Sequence, residues 1–201
     1  SEQKKSEKRT AHDMRRIALV MCELGISDEN PYGIALNAIL KLTDDGNLWM
    51  VVDSGANRHY VSTEKFLCMI RPAKSMVYGI GETNVETKSK GLLQGFIDTE
   101  SGNSLSASTM ASCVPATSVS LFSVPMASRQ GHSVFFDGDP DDAKPGERKH
   151  GMILKGTNEW VPFIWDAQTN LWWIKIRPDP DAAYGSLYPE EAGASGAAPH
   201  N

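Results

Sequence analysis

Cysteine is scarce: Cys22, Cys68 and Cys113 are the only three in 201 residues, with no Cys-x-x-Cys pair and no Cys/His cluster. An odd count without paired spacing argues against a disulfide framework, and the missing cluster argues against a zinc site, so free buried thiols are expected. His12, His59, His132, His150 and His200 show no ligand spacing either, so neither a metal nor a cofactor is expected. No apolar run approaches the ~20 residues that cross a bilayer and no signal peptide opens the chain, which leads to the expectation of a soluble, cytoplasmic protein away from membranes. The net charge of −5 gives no basic excess, which argues against nucleic-acid binding by electrostatics. Gly79-Ile80-Gly81 has no helix after it and no Gly-Lys-Ser/Thr, so it is not read as a phosphate loop.

What the chain does have is Asp53-Ser54-Gly55 at the end of the apolar run Leu48-Trp49-Met50-Val51-Val52. Such a triplet recurs by chance in roughly one chain in ten of this length, and its plain reading is a polar turn. Its surroundings carry more. A mostly apolar segment at 34–42 and the turn residues Asp44-Asp45-Gly46-Asn47 precede it, so 34–42 and 48–52 read as the arms of a β-hairpin. About 25 residues after Asp53, residues 75–78 and 85–90 alternate in polarity around Gly79-Ile80-Gly81-Glu82, which predicts a second hairpin with a glycine-rich tip. Residues 119–122 are apolar; Ser123 suits an N-cap, Pro125 a first helical turn and Gly131 a C′ position, which predicts a short helix between two strands. The second of those strands is Ser133-Val134-Phe135-Phe136, closed by the breaker Asp137-Gly138-Asp139-Pro140.

This order of features resembles the retropepsins, the aspartic proteases of retroviruses and retrotransposons. The closer likeness is to the protease region of copia-type long-terminal-repeat retrotransposon polyproteins. It rests on Asp53-Ser54-Gly55-Ala56-Asn57-Arg58-His59, on Leu121-Phe122-Ser123-Val124 before the helix, and on Gly131-His132-Ser133-Val134-Phe135-Phe136 after it. It covers 32–136 and extends loosely to 176, where Asn170-Leu171-Trp172-Trp173-Ile174 is similar to a stretch near the family's integrase boundary. The chain departs from viral members at Leu121-Phe122-Ser123, where they carry Ile-Ile-Gly, and at Val124-Pro125, where they carry Arg-Asn. Asn57 stands where viral members have Asp, so the ion pair that braces the viral dimer lacks its acid.

The resemblance implies an all-β fold with short helices: a retropepsin-like monomer that supplies half of a homodimeric active site, preceded by an N-terminal helix. It implies an aspartic endopeptidase, a hydrolase processing its own retrotransposon gag-pol polyprotein, within virus-like particles in the cytoplasm. Asp53, Ser54 and Gly55 are then the catalytic triplet, and Ala56, Asn57, Tyr78, Gly79, Ile80 and Gly81 line the substrate. The chemistry stands apart from the name. Two carboxylates about 3 Å apart share one proton, so one can accept and the other donate during peptide hydrolysis by water. No second Asp-Ser/Thr-Gly exists here, so a two-fold homodimer would supply the other Asp53. Ser54 would hydrogen-bond across that axis, and a flap at 79–81 would close over an extended peptide.

The remaining sequence reads as a polar leader and helix (1–30), the protease domain (31–136), an additional β-hairpin segment (137–176) whose Trp160, Trp165, Trp172 and Trp173 suit core or interface, and a flexible tail or linker (177–201). His59 reads as a structural hydrogen-bonding residue, and a Cys/His protease built on it lacks a nucleophile motif around Cys68 or Cys113. Two other readings compete: a retropepsin fold used as a dimerisation or peptide-binding module without proteolysis, and an unrelated β-rich domain in which the triplet is a turn.

Overall fold

A computed structural model describes residues 45–78, 84–117, 119–139, 144, 147–167 and 169–189. These residues are mainly β, with one short α-helix, as expected for an all-β chain. The expected N-terminal helix and the segment 34–42 lie outside the described residues.

The principal sheet has eight strands: β1 (Leu48–Asp53), β2 (His59–Val61), β3 (Leu67–Pro72), β6 (Ser89–Asp98), β7 (Ser104–Cys113), β8 (Ser120–Ser123), β12 (Ile164–Asp166) and β13 (Leu171–Ile176). A two-stranded hairpin of β4 (Met76–Tyr78) and β5 (Asn84–Glu86) stands apart from it, and a three-stranded sheet of β9 (Ser133–Phe136), β10 (His150–Ile153) and β11 (Trp160–Pro162) covers one face. In space the principal sheet runs β12, β13, β1, β8, β2, β7, β6, β3.

The centre of that sheet positions everything that follows. Strand β8 pairs in parallel with β1, setting Met50 opposite Ser120 and Asp53 opposite Ser123, and antiparallel with β2 through Tyr60 and Leu121. It is therefore threaded between two strands that loop 54–58 joins directly. The other edge of β1 is taken by β13, with Leu48 opposite Ile176 and Val51 opposite Trp173. Since Met50 and Val51 are paired on both sides, the hairpin expected between 34–42 and 48–52 has no free ladder edge along them. The segment 137–176 contributes two hairpins rather than one appended hairpin, and its last strand is integral to the sheet.

Strand β1 contributes side chains to clusters on both faces of the sheet, and the side-chain period of two sorts them. Leu48 and Met50 face the covering sheet and join a core with Val61, Phe122, Met152 and Ile174. Val51 points the other way, into a cluster with Val119 and Trp173. Strands β6 and β7 form a long hairpin in which β6 alternates buried and half-buried positions residue by residue. Its turn is docked on the covering sheet: Glu100 donates its backbone N–H to the Trp160 carbonyl at 2.8 Å, while Ser101 and Asn103 both donate to the Glu159 carboxylate.

Helix α1 (Val124–Arg129) forms where its local signals place it. The Ser123 hydroxyl accepts from the Met126 N–H at 3.1 Å, Pro125 sits in the first turn, and Gly131 ends the segment at φ 92°. Beyond β13, residues assigned by sequence to a flexible tail are hydrogen-bonded to the domain. Arg177 and Phe96 exchange backbone bonds at 2.8 Å, and Gly185, Ser186 and Tyr188 bond the backbone of Leu67 and Ile70 along β3. The Tyr184 hydroxyl donates to the Gln94 carbonyl at 2.7 Å. Backbone groups of an edge strand left unpaired are a liability, and this segment covers those of β3.

Candidate active site

Asp53 ends β1 on the face away from the covering sheet, and the chain then turns sharply through Ser54 and Gly55, both exposed. The turn brings the Gly55 N–H back onto Asp53, donating to Oδ1 at 2.6 Å. The bond closes the turn between the carboxylate and the backbone two residues on. The Ser54 hydroxyl has no hydrogen bond among the described residues and faces outward.

After the triplet the loop is pinned. Ala56 is turned inward, its methyl group packed with Tyr60 and Val114 and its carbonyl accepting from the Ser123 hydroxyl at 2.6 Å. Asn57 is exposed; its side-chain oxygen accepts from the Tyr60 hydroxyl at 2.8 Å and its backbone carbonyl from Arg129 on α1, also at 2.8 Å. Of the residues expected at the site, Asp53 stands half-buried at the end of β1 and Ser54, Gly55 and Asn57 follow it in an exposed loop, whereas Ala56 is turned inward beneath them.

The hairpin β4–β5 is the element expected as a flap. Its arms pair with Val77 opposite Val85 and Tyr78 opposite Asn84, and residues 79–81 of the expected tip lie outside the described residues. Val77 and Val85 pack against the cluster of Ala56, Tyr60 and Val114, so the arms stand beside the Asp53 loop. Thr87 clips the base of the hairpin: its hydroxyl accepts from the Ser75 N–H at 2.9 Å and donates to the Ala73 carbonyl at 2.5 Å.

Behind the loop lies a residue pair that no local pattern reveals. His59 is almost fully buried, with its ring 4.8 Å from that of Phe122, and its Nδ1 accepts from the Ser123 N–H at 3.0 Å. Burial, helped by the nearby His132, pushes the His59 pKa down to about 4, so the ring is neutral at pH 7 with its proton on Nε2. His59 is therefore a brace, in line with the structural reading of its position six residues after Asp53. Ser123 serves three groups at once, bonding His59 through its N–H and both Ala56 and Met126 through its hydroxyl. Its sequence signal was only that of a helix cap, because the partners at 56 and 59 are more than sixty positions away.

Cys68 and Cys113 are free, and burial pushes both thiols up, away from the reactive thiolate. Among the described residues no three His, Cys, Asp or Glu side chains converge as a metal ligand set, and no helix is long and apolar enough to cross a membrane. No family model, no curated protein and no solved structure matches this chain.

Proposed function

We propose that this chain is a retropepsin-like aspartic endopeptidase that works as a homodimer, each subunit contributing Asp53. The observation that carries the reading is the crossing at the sheet centre. Asp53 ends a strand, the Asp-Ser-Gly turn returns a backbone N–H to its carboxylate, and β8 passes between the two strands joined by that turn. The flap-like hairpin beside the same loop supports it.

In the dimer, one Asp53 carboxylate takes a proton from water as the water oxygen attacks the scissile carbonyl carbon. The other, protonated, donates to the carbonyl oxygen to give a gem-diol; the first then passes its proton to the amide nitrogen as the C–N bond breaks, while the second takes a proton back from a gem-diol hydroxyl, leaving acid and amine products. The Gly55 N–H holds each Asp53 carboxylate in its turn, and Ser54 bonds across the two-fold axis. Extended peptide pairs with the loop and the hairpin arms through its backbone, as strands added to an edge do. The substrate of this reading is the polyprotein of a copia-type retrotransposon, cut in the cytoplasm or in virus-like particles.

The test is cleavage of a diverse peptide library between pH 4.5 and 7, read by mass spectrometry, for wild type beside Asp53→Asn, with mass measured by light scattering. The expected result is cleavage by a dimer that falls by about 10²–10⁴ in the Asp53→Asn variant, the scale of a lost acid–base group. A folded protein with no cleavage in either form would move the weight to a peptide-binding or dimerisation module. Cleavage that survives Asp53→Asn would remove Asp53 from the mechanism.

A further inference from the structure

On the face of the principal sheet opposite Asp53 lies a cavity of about 320 Å³ between β6, β7 and the covering sheet. Its lining is divided by position along β7. Leu105 and Ala107 stand toward one end, with Ile97 and Ile176, and these apolar side chains share that end with Ser106. Thr109 stands toward the other, beside His59, Gln130, His132 and Lys155. From Leu105 to Thr109 the strand rises about 13 Å, enough for an extended chain of several methylenes.

The polar end presents donors. His59 accepts on Nδ1 from Ser123, so the neutral ring carries its hydrogen on Nε2, and this buried nitrogen has no partner among the described residues. His132 accepts on Nδ1 from the Lys155 N–H at 3.0 Å and likewise carries its hydrogen on Nε2. The Lys155 ammonium, whose stem lies across Gly131, has no ion pair among the described residues. A buried N–H without an acceptor is costly to keep, and His59 is one of the residues that line the cavity.

We propose that this cavity binds a monocarboxylate with an apolar tail, its carboxylate at His59 and Lys155 and its tail toward Leu105, Ile97 and Ile176. Two donors and a cation at one end select an anion, and the opposite end selects hydrocarbon. The site lies on the other face of the sheet from Asp53 and is independent of proteolysis, although its His59 also braces Ser123.

The experiment titrates the whole chain with octanoate, octanol and octylammonium, following calorimetry and the NMR signals of Thr109, His132 and the His59 ring. The expected result is saturable one-to-one binding of octanoate that moves those signals, with octanol at least about tenfold weaker and octylammonium not bound. Lys155→Gln, a surface change that leaves the core intact, should weaken octanoate about tenfold and leave octanol unchanged, and Ala107→Phe should fill the tail end and abolish both. Absence of saturable octanoate binding overturns the proposal. So does equal affinity for octanoate and octanol, which would mark a plain apolar void, or indifference of octanoate to Lys155→Gln, a comparison that stands even if Ala107→Phe fails to fold.

Discussion

Ser123 donates its backbone N–H to Nδ1 of His59 at 3.0 Å, across 64 residues of chain, and so ties the end of the threaded strand to the far side of the Asp53 loop. The Ser123 hydroxyl completes the tie by donating to Ala56 at 2.6 Å while capping α1. Ser123→Ala keeps the first bond and removes the other two. The expected cost is about 2–3 kcal/mol, one helix cap plus one buried hydrogen bond, measured by urea unfolding. A loss below about 0.5 kcal/mol would show that the hydroxyl does not hold the loop.

The same pair makes stability depend on pH. His59 has its pKa lowered from 6.5 to about 4 in the folded chain, so protonation favours the unfolded state. The stability that comes from keeping the ring neutral is complete above about pH 6.5 and is lost as pH falls from there through about 4, a total near 3 kcal/mol. His132 and His150 are shifted down by burial in the same direction, so the wild-type slope contains their share. His59→Gln, which can still accept from Ser123, should flatten the unfolding free energy across this window; an unchanged slope would contradict the assignment. Acid pH, where carboxylate dyads work, is thus where this fold weakens.

Thr87 is a hinge clip without a visible sequence signature. Thr87→Val preserves its shape and removes the hydroxyl that joins Ser75 to Ala73 at the base of the β4–β5 hairpin. Two polar backbone groups lose their partner, a local cost of about 1–3 kcal/mol. Faster amide exchange confined to 73–78 and 84–88 is the expected pattern. Exchange rates like those of wild type would show that the hydroxyl does not clip the hairpin.

The covering sheet depends on a close approach at Gly151. A Cβ there would stand 2.4 Å from the Val161 carbonyl oxygen and 2.7 Å from the Trp160 ring, so Gly151→Ala must displace backbone. The expected destabilisation is about 2 kcal/mol or more, the range of overpacking in a filled core. Thermal unfolding checks it, and a melting temperature within about 1 °C of wild type would show that the two strands separate easily.

Elements set by neighbours in the chain were legible in advance. Apolar residues running into Asp53-Ser54-Gly55 specified β1 and its exposed turn, and the alternation around 79–82 specified β4 and β5, although the second arm expected over 85–90 ends at Glu86 and Ser89-Lys90 open β6. Ser123, Pro125 and Gly131 specified α1 with both its ends, because caps and positive φ are satisfied within a few residues. Which strand lies beside which was decided only by tertiary structure. The first arm of the hairpin expected for β1 lies outside the described residues, while β13 and β8, far off in sequence, pair Met50 and Val51 on both edges between two cores. The same holds for His59 with Ser123 and for residues 177–189 along β3: donors and acceptors far apart in sequence are matched by where the sheets bring them, and a buried polar group accepts whatever partner the fold supplies.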